Sequence, residues 1–123
     1  MPIAPALFYV RTSMLDVAYE AHGPVDGEPV ILLHGFPYDP RGYDDIAPAL
    51  AERGCRVWVP YLRGYGPTRF INAQVMRSGQ QAALAKDLLE FMDALGIAQA
   101  TLAGYDWGGR AACIVAALWP ERV

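Results

Sequence analysis

The sequence predicts an α/β fold, in which a mostly parallel sheet opens with an antiparallel hairpin and is covered by helices. Two short strand patterns come first, and apolar strand segments then alternate with helical ones along the chain. The run at residues 30–33 is apolar without alternation, which is typical of a central parallel strand covered on both faces. Repeated strand–helix units produce parallel strands joined by right-handed crossovers.

The first half of the chain predicts four strands and one helix. Residues 7–10 and 15–20 form strand patterns around the turn-like pair Thr12-Ser13, and a polar loop follows from residue 22 to residue 29. The third strand is expected at residues 30–33. A helix is expected over residues 43–53, where Gly54 is a stop signal. The fourth strand, residues 56–59, ends at Pro60.

The second half predicts a long loop, two helices and a fifth strand. Glycines and a proline disfavour regular structure over residues 60–78. Between residues 79 and 95, apolar residues recur at the spacing of one helix face, and Gly96 follows as a stop signal. A strand is expected at residues 98–103, followed by a helix that ends before Pro120. The helix face expected in the core consists of Leu84, Leu88, Phe91, Met92 and Leu95.

Composition excludes several classes of function. A hydrophobic content of 54% with 19% charged residues predicts a globular domain, and a net charge of −3 offers no basic surface to nucleic acid. No run reaches transmembrane length and the N-terminus lacks signal-peptide features, so we expect a cytoplasmic protein with no membrane partner. Cys55 and Cys113 are expected to be buried, with a disulfide or redox role as the alternative.

A sharp turn between the fifth strand and its helix carries the strongest chemical signal. Residues 104–109 read Gly-Tyr-Asp-Trp-Gly-Gly, a small-x-nucleophile-x-small pattern typical of a nucleophile elbow. Gly104 and Gly108 would let strand and helix approach closely. The central residue, Asp106, is ionised at neutral pH and can attack carbon to form an ester, which favours epoxides or carbon–halogen bonds over acyl transfer. The alternative is that Asp106 only caps the helix.

Three motifs in this order resemble those of the α/β-hydrolase superfamily. His-Gly-Phe-Pro at residues 34–37 follows the third strand, Leu-Arg-Gly-Tyr-Gly at 62–66 follows the fourth, and the Asp106 elbow follows the fifth. Within the superfamily, the chain resembles soluble epoxide hydrolases and the haloalkane and fluoroacetate dehalogenases. The resemblance covers roughly residues 7–123. It implies that the third strand lies between the fourth and fifth, and that a cis bond precedes Pro37.

The resemblance also implies a role for each motif residue. Asp106 would be the nucleophile, and the backbone N–H groups of Phe36 and Trp107 would form the oxyanion hole. A histidine–acid pair would activate water to hydrolyse the ester, and acids such as two cap tyrosines would protonate the opening epoxide oxygen. No cofactor and no metal site are implied. The substrate-contacting positions would be Phe36, Pro37, Tyr105 and Trp107, and the structural ones His34, Gly35, Gly104 and Gly108.

In the families that the chain resembles, the later strands, the cap, the acid and the catalytic histidine lie downstream of the elbow helix. The sequence holds two histidines. His34 belongs to the motif that braces the oxyanion loop, and His22 is expected in a surface loop. We therefore expect residues 1–123 to be the N-terminal part of a hydrolase domain with five strands and no cap domain. Such a chain would be inactive alone and would need the rest of the same enzyme, as a missing segment or a second chain.

The reaction that the resemblance favours is hydrolysis of an epoxide to a diol through an alkyl-enzyme ester. The alternatives are a haloalkane or haloacid dehalogenase on the same scaffold, and a non-catalytic or truncated hydrolase-like protein that binds a small molecule. Tyr105 and Tyr61 stand where these families usually carry histidine and aspartate, so a substrate preference does not transfer.

Several side chains admit both a functional and a structural interpretation. The Trp107 indole is either a halide ligand or part of the pocket wall. Arg63 is either a substrate ligand or a structural ion pair, and Arg110 either orients an anionic group or lies on the surface. The tyrosines considered for the pocket entrance are Tyr38, Tyr43, Tyr61 and Tyr65.

Overall fold

The computed structural model describes residues 6–123. The first five residues of the predicted domain, on which the expectation of no signal peptide also falls, lie outside the described residues. The described chain forms one mixed sheet and three α-helices. The strands are β1 (Leu7–Arg11), β2 (Leu15–His22), β3 (Glu28–Leu33), β4 (Cys55–Pro60), β5 (Arg69–Phe70) and β6 (Thr101–Gly104). The helices are α1 (Ile46–Glu52), α2 (Gln81–Leu95) and α3 (Asp106–Leu118), with 3-10 turns at Pro40–Tyr43 and Pro120–Arg122.

The strand order brings two loops together at one edge of the sheet. The order is β1-β2-β4-β3-β6, and β5 pairs with β2. β1, β2 and β4 are antiparallel neighbours, whereas β3 runs parallel to both β4 and β6. The third strand therefore lies between the fourth and the last, as expected. Leu33 and Gly104 are partners in the β3–β6 register, so the segments that follow both strands leave the sheet side by side.

Apolar residues are buried on both faces of the sheet. Ile31 and Leu33 of β3 face the layer of α2 and α3, while Val30 and Leu32 face the layer of α1. This two-sided burial confirms the interpretation of the unbroken apolar run. The predicted stripe of α2 is also in the core, with Leu95 at its margin, and the helix ends at Gly96 in the left-handed conformation.

Two predicted element boundaries are wrong, each because a side chain forms hydrogen bonds with backbone groups. The helix expected from residue 43 begins at Ile46, since the Asp39 side chain caps a separate 3-10 turn by accepting the Arg41 N–H at 2.8 Å. The last strand spans 101–104 rather than 98–103. The Arg122 guanidinium donates to the carbonyls of Ile97 and Ala98 at 2.9 and 2.7 Å, and these groups therefore bond a side chain instead of a strand.

Three further differences concern the loops. The loop expected over residues 60–78 contains β5, so the sheet has six strands rather than five. The helix expected from residue 79 begins at Gln81. His22, expected in a surface loop, is the last residue of β2, where it is half-buried and pairs with Val57.

The prediction that both cysteines are buried is wrong. Cys55 is partly buried in β4, and Cys113 is exposed on α3. The buried residues of that helix turn include Ala111 and Val115, four positions apart on one face. Cys113 lies midway between them in sequence, which places it on the opposite side of the helix. Neither cysteine forms a disulfide.

A buried ion pair ties the loop after β4 to α2. The Arg63 side chain is 6% exposed and donates through Nε and Nη2 to the two carboxylate oxygens of Asp87, both at 2.6 Å. Its Nη1 donates to the Ser78 carbonyl at 2.7 Å. Burial raises the pKa of the Asp87 carboxyl, and the hydrogen bonds and charge of Arg63 oppose that rise. These contacts support the structural interpretation of Arg63.

Replacing Arg63 with alanine should lower the free energy of unfolding by about 3–5 kcal/mol at pH 7, because it leaves a buried carboxylate unpaired. The folded-state pKa of Asp87 is already raised above its unfolded value, so the folded protein binds this proton more readily than the unfolded chain does. The loss should therefore shrink as pH falls through the Asp87 pKa. Denaturant unfolding at pH 7 and pH 5 measures both effects.

The matched control is Arg11→Ala, which breaks the Arg11–Asp16 pair on the exposed opening hairpin. Since water screens that pair, we expect little change in stability. Equal losses for the two variants would contradict a special contribution from the buried pair.

Candidate active site

The elbow is a strained bend that begins α3 directly after β6. Among residues 6–123, Asp106 is the single non-glycine residue with a positive φ, at 54°. Such a backbone costs of order 1–3 kcal/mol and persists only where the surroundings impose it. Tyr105, in an extended conformation, holds the N-cap position of α3. The alternative that Asp106 is the helix cap is therefore wrong.

Three glycines allow the elbow and the loop after β3 to pack backbone against backbone. A Cβ atom on Gly108 would lie 2.4 Å from the carbonyl oxygens of both Leu33 and His34. On Gly104 it would lie 2.7 Å from the backbone of Gly108, and on Gly35 it would lie 2.5 Å from the Asp106 Cβ. Any side chain at these positions would push the two segments apart. The small residues are thus required by the close approach of strand, helix and loop.

The Asp106 carboxylate turns toward this loop. Its Oδ2 accepts a hydrogen bond from the Phe36 backbone N–H at 3.0 Å, across 70 positions of sequence. Hydrogen bonds from the backbone N–H groups of Phe36 and Trp107 hold the pKa of the Asp106 carboxyl below its ordinary value, and the Arg110 charge adds a smaller attraction. The side chain is exposed. The two N–H groups expected from the resemblance therefore both donate to the Asp106 carboxylate.

His34 holds the loop after β3 against the loop after β4. Its ring is fully buried, and Nε2 accepts the Leu62 N–H at 3.0 Å while Nδ1 lies 3.2 Å from the Gly35 carbonyl oxygen. Both contacts are satisfied by the neutral tautomer with its proton on Nδ1. Burial lowers the pKa of His34, so the ring remains neutral. The bond between Phe36 and Pro37 is cis, as expected.

Aromatic residues surround the elbow on the loop side. Phe36 and Tyr38 are 63% and 58% exposed, and the Tyr38 ring lies 5.8 Å from that of Tyr105.

Tyr43 is buried and cannot line a pocket entrance, contrary to expectation. Tyr61 and Tyr65 pack edge-on around the His34 ring, at 6.5 and 4.8 Å between ring centroids.

On the helix side, the Trp107 ring is half-buried against the core that α2 and α3 form. The Arg110 guanidinium lies 5.3 Å from the centre of this ring and is exposed. The packing favours the interpretation of the indole as part of the wall. The sequence did not predict that the Tyr43 hydroxyl donates to the Leu33 carbonyl at the end of β3, at 2.9 Å. No sequence pattern indicates a hydrogen bond of this kind.

Comparison with known proteins assigns the family. The model of the family described as the alpha/beta hydrolase fold matches residues 28–123. The chain belongs to this family. It is 36% identical over 97 residues to bifunctional epoxide hydrolase 2 of Sus scrofa, covering 79% of this chain. It is also 36% identical over 110 residues to a haloalkane dehalogenase of Mycobacterium marinum, covering 86% of this chain.

Solved structures agree with this family assignment. A crystal structure assigned provisionally to an epoxide hydrolase of Klebsiella pneumoniae subsp. pneumoniae MGH 78578 is 58% identical, with a TM-score of 0.94 over 95% of this chain. The chain spans only part of each of these proteins: 17% of the Sus scrofa protein, 35% of the Mycobacterium marinum protein and 39% of the Klebsiella chain. None of the helices in the described part is both long and apolar enough to cross a membrane.

Replacing Gly108 with alanine should separate the elbow from the loop, because the added methyl group meets two backbone carbonyl oxygens that cannot turn aside. We expect the free energy of unfolding to fall by about 1–3 kcal/mol, as in overpacked interiors. Thermal or denaturant unfolding measures the loss.

Gly79→Ala is the control, since a Cβ on Gly79 would have no heavy atom within 4 Å. Its effect should stay within about 0.5 kcal/mol. If the two variants unfold alike, the close approach at Gly108 does not constrain the elbow.

Proposed function

We propose that Asp106 is the nucleophile of a hydrolase that forms an alkyl-enzyme ester, and that the reaction is hydrolysis of an epoxide to a diol. The observation that carries the proposal is the exposed Asp106 carboxylate, held on a strained bend by the Phe36 N–H. A carboxylate kept ionised and partly exposed is suited to attack carbon. The lowered pKa of this carboxyl favours its ionised form at neutral pH.

In the first step, one carboxylate oxygen attacks a ring carbon of the epoxide. The carbon–oxygen bond of the ring breaks, and its oxygen takes a proton from an acid. Because Oδ2 already accepts the Phe36 N–H, Oδ1 is the oxygen that is free to attack. The product is a hydroxyalkyl ester of Asp106.

In the second step, water attacks the Asp106 carbonyl carbon. Negative charge then develops on Oδ2, which accepts the Phe36 N–H before the reaction starts, and the Trp107 N–H also donates to this carboxylate. Donors placed in advance where charge develops lower the barrier without reorganisation. The bond between the carbonyl carbon and Oδ1 breaks, the diol leaves with Oδ1, and the carboxylate is restored with one oxygen from water.

The base that activates this water is not supplied by either histidine of the chain. Both ring nitrogens of His34 are engaged and the ring is buried. His22 pairs with Val57, near the amino end of β4, whereas Asp106 follows the carboxyl end of β6. We propose that the base, the acid and a cap come from a part of the whole enzyme outside these 123 residues. The small share of its relatives that the chain spans supports this proposal.

Dehalogenation is the second candidate, because a haloalkane dehalogenase is among the relatives at 36% identity. The same carboxylate would displace halide and the same ester would follow. The Trp107 ring is half-buried against the core, which supports its interpretation as part of the pocket wall and so favours the epoxide.

A single turnover in ¹⁸O-labelled water tests the proposal. The full-length protein, in excess over an epoxide such as styrene oxide, should place the label in the Asp106 carboxylate and release an unlabelled diol. Mass spectrometry of the peptide that contains Asp106 and of the diol measures both. A bromoalkane in place of the epoxide tests the dehalogenase alternative.

Asp106→Ala should lower turnover roughly 10⁶-fold, as removal of the nucleophile does in another hydrolase. Asp45→Ala is the matched control, because the exposed Asp45 side chain makes no cap hydrogen bond to α1. A diol that carries the label in the first turnover, with none in Asp106, would mean that water attacks the epoxide directly and would reject the nucleophile.

A further inference from the structure

One backbone carbonyl joins the two halves of the site. The Leu33 carbonyl oxygen accepts the Tyr43 hydroxyl at 2.9 Å and the Tyr105 backbone N–H at 3.4 Å. Leu33 ends β3 and begins the loop that carries Phe36, whereas Tyr105 directly precedes Asp106. The Phe36 N–H thus lies three residues after this acceptor, and the Asp106 carboxylate belongs to the residue after Tyr105, which donates to it.

We propose that Tyr43 is a positioning residue, whose hydroxyl fixes the end of β3 and so holds the Phe36 N–H against the Asp106 carboxylate. Its catalytic consequences rest on the function proposed above, but its effect on the geometry does not. The bond that Tyr43 makes is the shorter of the two at the Leu33 carbonyl, and the Tyr105 bond is at the limit of a normal length. Without Tyr43, only the longer bond would remain.

The surroundings of Tyr43 hold its side chain in place. Its ring is 8% exposed and packs with Val30, Leu32 and other residues under α1. It ends the 3-10 turn that Asp39 caps, and Arg41 of the same turn pairs with the buried Glu20 of β2. Burial raises the pKa of the Tyr43 hydroxyl to about 12, so it remains a donor over the working range of pH.

The two chemical steps depend on this alignment in opposite directions. Ester formation removes negative charge from the Asp106 carboxylate, so weaker N–H donors would leave this step unchanged or faster. Ester hydrolysis creates negative charge on Oδ2, so weaker donors would slow it. General loss of structure would instead slow both steps together. The ratio of the two rates therefore separates positioning from mere stabilisation.

The test is Tyr43→Phe in the full-length protein, with styrene oxide as substrate. Rapid quenching and mass spectrometry follow formation and decay of the ester at Asp106. We expect ester hydrolysis to slow about fivefold, the order of one neutral hydrogen bond, while ester formation is unchanged or faster. Hydrogen exchange of the Phe36 amide should accelerate. Tyr9→Phe, at a residue 59% exposed on β1, is the control and should change neither rate.

Equal slowing of both steps, or no change in either, would overturn the positioning role. If the wild-type protein forms no ester at all, the proposed function has failed instead. Exchange of the Phe36 amide then decides the geometric proposal on its own, since an exchange rate equal to that of wild type in Tyr43→Phe would overturn it.

Discussion

The hydrogen bond from the Phe36 N–H to the Asp106 carboxylate is the contact on which the rest of the site depends. It joins two segments 70 residues apart, at the edge where β3 and β6 end as register partners. Each supporting feature maintains it. The glycines let the backbones touch, His34 braces the loop, and the positive φ of Asp106 aims the carboxylate at the donor.

In the proposed function, the same contact would prepare the carboxylate for its chemistry. A free aspartate is a weak nucleophile and its ester is slow to hydrolyse. In the proposed mechanism, the backbone donors leave Oδ1 free to attack, and the Phe36 N–H already lies at Oδ2, where charge would develop on hydrolysis. Because these donors belong to the backbone, side-chain substitutions in the loop change which substrates fit without removing the donors. This is consistent with a family in which epoxide hydrolases and a haloalkane dehalogenase share this part of the fold.

Much of the fold could be predicted because local patterns decided it. The unbroken apolar run of β3 and the helical stripe of α2 reflect burial, which leaves a periodic trace in sequence. The elbow could also be predicted from the sequence, since only small residues fit where backbones touch. The start of β6 could not be predicted, because the Arg122 side chain donates hydrogen bonds to carbonyls 24 and 25 residues upstream. The contact of Tyr43 with Leu33 was missed for the same reason: a bond from a side chain to a distant backbone group leaves no periodic trace.

The most direct test of the central contact is titration of the Asp106 carboxyl carbon by ¹³C NMR, assigned by comparison with Asp106→Asn. Donors that favour the ionised form lower a pKa. The midpoint should therefore lie below the ordinary aspartate value of about 3.9. A midpoint at or above that value would mean that the loop does not hold the carboxylate, and would contradict the account of the site.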